Sequence, residues 1–462
     1  MLLELTMASP SLERETPAFD ELLDRVNLIL ADAAPTSEDN FVEDFIPRSP
    51  RSLREARVSP GLLERIIFRF LLQCSTSAGR QIAAQVALPW RLIEPVLRQY
   101  RQDKLLELTG TSAAGDPQFA LTAAGRDKAR QFQSESTYYG ATPVQLEDYT
   151  ASVQAQSLCR SRITRDELVH AFEDLALSDA VLNRIGPAVN SGRGMFLYGE
   201  SGNGKTSVAE RMVRAFDSDI WVPKAIAVDG DVIRVFDPAV HTLATAESSE
   251  FQLLDADETD RRWVRIQRPT IVAGGELTME ELEVRLNPTS RICEAPLQIK
   301  SNCGVLVIDD FGRQRIPVSD LLNRWIVPLE KRIDYLGLPT GKKIGVPFEQ
   351  LLVFSTNLEP RDLVDAAFLR RIPYKIEIPG PTKEQFRKLL HATAMSLDLQ
   401  LDEDVAGYLI ERHFVTESRP MRFCHPRDLL LQSRSHCEFH QLPMIVTAEA
   451  IDIAVENYFA IT

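Results

Sequence analysis

A chain of 462 residues with 44% hydrophobic and 26% charged residues has the make-up of a globular protein of two or three domains, and no run approaches the ~18 apolar residues of a membrane span. Its 52 basic against 66 acidic residues leave a net charge of −14, which disfavours strong non-specific nucleic-acid binding by the whole chain. Six cysteines (Cys74, Cys159, Cys293, Cys303, Cys424, Cys437) lack both a Cys-x-x-Cys pair and disulfide-like spacing. With an early acid and no basic stretch in Met1–Thr6, this points to a cytoplasmic protein without a signal peptide or membrane insertion.

Charge is uneven along the chain. Residues 1–50 hold 11 acids and 3 bases, a balance of −8, and are broken by five prolines; they read as a loose acidic segment with a short helix at Phe19–Leu30. Residues 51–130 carry 13 bases and 7 acids, a balance of +6. Apolar pairs recur at helical spacing over Pro60–Cys74, with proline near the helix start. A second helix is expected at 79–86 and a third at Pro89–Arg101, followed by strand, turn, strand and the helix Ala123–Phe132. This order resembles a winged helix, placing a domain at 51–135. The resemblance implies either DNA contact, with Arg91, Arg98 and Arg101 on phosphates, or protein docking. Residues 136–160 read as a linker.

Helices at Arg165–Leu175 and Ser178–Ile185 precede the apolar run Met195–Tyr198 and then Gly199-Glu200-Ser201-Gly202-Asn203-Gly204-Lys205-Thr206-Ser207. This is a phosphate-binding loop between strand and helix. The glycines let successive N–H groups converge, the helix start adds its dipole, Lys205 can reach the β- and γ-phosphates, and the Thr206 hydroxyl can ligate Mg²⁺. About 100 residues later, Val305–Ile308 reads as a buried parallel strand ending in Asp309 and Asp310. Asp309 suits Mg²⁺, and Asp310 stands where a general base for the attacking water is expected. A third strand, Leu351–Thr356, ends at Asn357, placed to orient that water. Arg370 and Arg371 then close a short helix, as candidates to reach a neighbour's γ-phosphate. Arg427 heads a helix in a C-terminal block expected at Lys383–Leu397, Glu403–Phe414, Pro426–Cys437 and Ala448–Phe459. A cation at a helix N-terminus opposes the dipole, which argues for an anionic partner there.

The ordered set Gly199–Thr206, Val305–Asp310, Asn357, Arg370/Arg371 and Arg427 resembles the AAA+ ATPases over roughly residues 160–462. That family implies an α/β P-loop core, with a parallel sheet between helices, at 161–380 and a helical lid at 381–462. It further implies ATP with Mg²⁺, and a ring, a hexamer, with the site shared between subunits. Asp310 departs from the commoner Glu, putting the hydrolysis rate in question. Asp309–Gln314, Leu322–Leu329 and Cys424–Leu430 look like a group of bacterial predicted AAA+ ATPases labelled as having chaperone activity.

About 90 residues separate the phosphate-loop helix from Asp309, including hairpin-like Ile226–Phe236 and Trp263–Ile271. A second insertion, Tyr335–Val346, turns at Pro339-Thr340-Gly341 and resembles the pre-sensor-1 hairpin of MoxR-type proteins, with Lys342 and Lys343 as substrate contacts. No aromatic pore-loop motif is evident. Cys424, His425, His436, Cys437 and His440 lack structural-zinc spacing and are not taken as a metal site. The function expected is ATP-driven remodelling of an unknown protein substrate. The alternatives are a DNA-binding regulator that uses ATP as a switch through residues 51–135, and a nucleotide-gated scaffold with little hydrolysis.

Overall fold

A computed structural model describes residues 45–112, 115–216, 218–244, 258–364 and 366–460. All belong to the second of the two units into which the chain divides, Asp44–Thr462; the helix expected at Phe19–Leu30 lies outside them.

The first helix among the described residues, Pro60–Cys74, starts where expected, with the Ser59 hydroxyl accepting from the Leu62 N–H. Its apolar stripe (Leu63, Ile66, Ile67, Leu71) packs with Ile82, Ile93, Leu97, Phe119 and Phe132 into one core. The helices Gly79–Gln85, Trp90–Gln102 and Ala123–Glu135 and the strands Leu106–Thr111 and Pro117–Leu121 complete the expected set. A short strand, Thr76–Ala78, joins Pro117–Leu121 to make a three-stranded antiparallel sheet.

The segment read as a linker, 136–160, is instead packed structure. Val144 and Gln145 pair in parallel with Ile226 and Ala227, and Leu146–Ala155 is a helix. Tyr149 is buried in it, donating to Ile299 O at 3.1 Å and accepting from Asn302 Nδ2 at 2.8 Å. Only Tyr149 and Val153 supply that helix with a deeply buried apolar face, too sparse a periodicity to stand out among its polar residues.

The central layer is a five-stranded, all-parallel sheet in the order Thr270–Ala273, Val305–Ile308, Leu351–Thr356, Met195–Tyr198, Tyr374–Glu377. Alternate residues face two helical layers. Met195, Leu197, Val305, Val307, Leu351 and Val353 pack on Ile185, Val189 and Val208. Phe196, Leu306, Ile308 and Phe354 pack on Phe311, Trp325 and Phe368. Burial on both faces is why these strands are continuous apolar runs. The architecture is thus the expected α/β P-loop fold.

The chain between the phosphate-loop helix, Lys205–Arg211, and Val305 supplies four strands of a second sheet, Arg285–Leu286, Cys293–Glu294, Asp231–Arg234 and Ala225–Val228, which Val144–Gln145 completes at the edge. Its Ala225–Arg234 hairpin turns on Asp229-Gly230, both at positive φ, as a two-residue hairpin requires. The stretch Trp263–Ile271 is not a hairpin by itself. Trp263–Ile266 pairs with Ile220–Pro223, and Thr270–Ala273 crosses into the central sheet. The second insertion does form a hairpin, Ile333–Gly337 with Lys343–Pro347, and its tip residue Lys342 lies 3.1 Å from Asp229 of the neighbouring hairpin.

The C-terminal helices Lys383–Ser396, Glu403–Tyr408 (continued by a π-helical stretch to Val415), His425–Phe439 and Ala448–Phe459 enclose their own core of Phe386, Leu390, Phe414, Leu429, Leu430 and Ile451. Among the described residues no helix is long and apolar enough to cross a membrane.

Candidate nucleotide-binding site

Three of the central strands end at one point. Met195–Tyr198 runs into the loop Gly199–Gly204, Val305–Ile308 into Asp309, and Leu351–Thr356 into Asn357. These are neighbouring strands, and ligands of open parallel sheets bind outside such carboxyl ends.

The loop depends on its glycines. Gly199, Gly202 and Gly204 have φ of 138°, 84° and 78°, and a Cβ on Gly199 would come within 2.6 Å of Ile378 O. Asn203 is buried, donates from Nδ2 to Ile378 O at 3.3 Å and keeps a buried Oδ1 with no partner among the described residues. Glu200 and Ser201 are exposed, and Ser207 is half-buried in the helix behind the loop.

Lys205 is 7% exposed. Its Nζ donates to Gly199 O (2.9 Å), Glu200 O (3.0 Å) and Asn357 Oδ1 (2.5 Å). Burial pulls its pKa below the ordinary lysine value, against the opposing pull of Asp309, Asp310 and Glu200. A desolvated ammonium held by three neutral oxygens is short of anionic partners, and a phosphate chain would supply them. Thr206 Oγ1 donates to Asp309 Oδ2 at 2.8 Å. This hydroxyl–carboxylate pair fits a hard divalent cation that takes its other ligands from water and phosphate. Gln314 Nε2 holds the Asp309 carbonyl at 2.7 Å. Asp310 follows, exposed and left-handed at φ 49°.

Lys205, Thr206, Asp309 and Asn357 are therefore joined directly, with Asp310 adjacent. The arginines divide differently. Arg370 is exposed, and Arg371 Nε is held by Glu330 Oε1 at 2.6 Å on the helix Val318–Lys331. Arg427 is exposed in the first turn of His425–Phe439. Arg422, five residues earlier, reaches the loop instead: its Nη2 lies 3.1 Å from Glu200 Oε2. Beside it, the Cys424 N–H donates to Gly202 O at 3.0 Å. Sequence reading passed over Arg422. It is one of three arginines near the helix head, with Arg419 and Arg427, and only its cationic type in that neighbourhood hinted at it. Among the described residues no group of three or more His, Cys, Asp or Glu is placed to hold a metal ion.

A family model described as a domain of unknown function (DUF8689) matches residues 382–457, the C-terminal helical block. No curated protein matches the chain. Among solved structures, NtrX from Brucella abortus is 12% identical at a TM-score of 0.41, over 62% of this chain and 56% of that one. NtrX in complex with ADP is 13% identical at a TM-score of 0.37, with the same coverage of 62% and 56%. The Thermotoga maritima RuvB Holliday junction branch migration motor is 14% identical at a TM-score of 0.34, over 65% of this chain and 73% of that one. The chain spans just over half the length of the NtrX chain.

Proposed function

We propose that the chain is a AAA+ ATPase of the pre-sensor-1-hairpin, MoxR-like type that hydrolyses ATP to remodel a protein partner, acting as a ring oligomer, a hexamer. The observation that carries this reading is the joining of Lys205, Thr206, Asp309 and Asn357 at the ends of three adjacent strands. Loop N–H groups and Lys205 bind and orient the phosphates. Thr206 and Asp309 would hold Mg²⁺, which would supply positive charge to the phosphate oxygens. Asp310 accepts the proton of the attacking water and Asn357 orients that water. Arg370, which is exposed, and Arg371 beside it are the candidates to serve a neighbouring subunit's site, a contribution worth about 10³–10⁵ in rate. Residues 51–135 serve as a winged-helix domain, 161–380 as the ATPase core and 381–462 as the lid.

The test is phosphate release against enzyme concentration, with Lys205→Ala as control. Specific activity should rise with concentration and fall away on dilution. A rate per enzyme that stays constant down to clear monomer sinks the shared site. Activity retained in Lys205→Ala sinks the ATPase reading.

A further inference from the structure

The N-terminal domain carries a cleft that nucleotide chemistry does not use. It lies between the helix Trp90–Gln102 and the strands Leu106–Thr111 and Pro117–Leu121, with a volume of about 640 Å³. Part of its lining is apolar. Phe119 is buried and Leu108 is 45% exposed. Trp90 is half-buried, its ring so close to Gly79 that a Cβ there would meet Trp90 Cη2 at 2.5 Å. Three exposed arginines, Arg80, Arg98 and Arg101, line it.

We propose that this cleft docks an acidic peptide segment of a partner protein, seating one aromatic or aliphatic side chain on Trp90 and Leu108 and carboxylates on the arginines. A part-exposed indole in a concave site lined by three arginines is the composition of an interface anchor. Duplex DNA fits less well. Two acids also line the cleft, Glu94 at 2.8 Å from Arg98 and Asp116, whose Oδ2 accepts from the Arg80 N–H at 2.8 Å, so no unbroken basic surface is offered to a long polyanion. A duplex presents one charge per ~1.7 Å along its whole length and would meet the field of the whole chain, net −14, well beyond the cleft. A peptide of a few carboxylates engages only the local domain, whose balance over residues 51–130 is +6. The inference goes beyond ATP hydrolysis and stands without it.

The experiment selects binders from a random peptide library on the full chain without nucleotide. Fluorescence anisotropy then measures the selected peptides on wild type, Arg98→Glu/Arg101→Glu, Leu108→Asp and Arg130→Glu, with a short DNA duplex as competitor. Enrichment of Asp and Glu around an apolar residue is expected. The double variant and Leu108→Asp should each weaken binding about tenfold or more, and Arg130→Glu less than about twofold. Unchanged thermal unfolding of the variants keeps misfolding apart from lost contacts. No enrichment, peptides indifferent to Leu108→Asp, or a duplex that binds tightly and is lost in the double variant overturns the proposal.

Discussion

Arg422 Nη2 reaches Glu200 Oε2 across 3.1 Å, tying the segment before the lid helix to the phosphate loop. The Glu200 side chain is 68% exposed and that of Arg422 33%. An ion pair so open to water contributes at most about 1 kcal/mol. Its interest lies elsewhere: Arg422 Nε is buried with no partner among the described residues, leaving a cation incompletely satisfied beside the loop. Arg422→Ala should therefore change unfolding little, while weakening nucleotide binding about tenfold or more. Arg427→Ala should change affinity less than about threefold. Titration of both variants with a fluorescent ATP analogue decides between the two arginines. The reverse ranking would restore Arg427 as the lid's nucleotide contact.

Asp310 offers a clean separation of chemistry from folding. It is exposed and sits at φ 49°, a left-handed conformation that Asn tolerates as well as Asp. Asp310→Asn should keep stability within about 0.5 kcal/mol of wild type. Loss of a general base should lower phosphate release by roughly 10²–10⁴, with ATP still bound. Equal rates in the two proteins would mean that Asp310 takes no proton.

Gly202 answers to two constraints at once. Its φ is 84°, and a Cβ there would lie 2.4 Å from Cys424 Sγ. Gly202→Ala should abolish measurable nucleotide binding by forcing loop and lid apart. Adding Cys424→Ala removes the clash and leaves the backbone strain, about 1–2 kcal/mol. The double variant should therefore recover binding in part. No recovery would place the whole effect in the backbone rather than in the contact with the lid.

The central sheet was legible because its strands are buried on both faces. Runs such as Val305–Ile308 and Leu351–Phe354 have no polar alternation to confuse them, and their strands lead into Asp309 and Asn357. Thr270–Ala273 was not recognised as a partner of Val305–Ile308. It is an edge strand with Val272 39% exposed, and its pairing is set by residues more than 30 positions away. Leu146–Ala155 was hidden by its polar surface. Arg422 was hidden because its contact spans 222 residues, and no local pattern tells an arginine that reaches the loop from one that faces water. Spacing singled out Lys205, Thr206, Asp309 and Asn357, while long-range packing brought Arg422 to the loop.

The lid should weaken in mild acid through His425. This residue is 2% exposed, packed against Phe414, Tyr458 and Phe459, and its Nδ1 accepts from the Arg422 N–H at 3.2 Å. Burial, and then the Arg422 charge, pull its pKa from 6.5 down to about 4. The unfolded chain therefore takes up the proton at a higher pH than the folded one. Stability is complete above 6.5 and declines as pH falls toward 4, by at most about 3 kcal/mol. His425→Asn keeps an acceptor near the Nδ1 position and cannot titrate. It should start lower at neutral pH, having lost ring packing, and then show a shallower decline through the same window. Urea unfolding at a series of pH values measures both slopes. Parallel curves for wild type and variant would assign the acid sensitivity to carboxylates elsewhere and leave His425 a packing residue only.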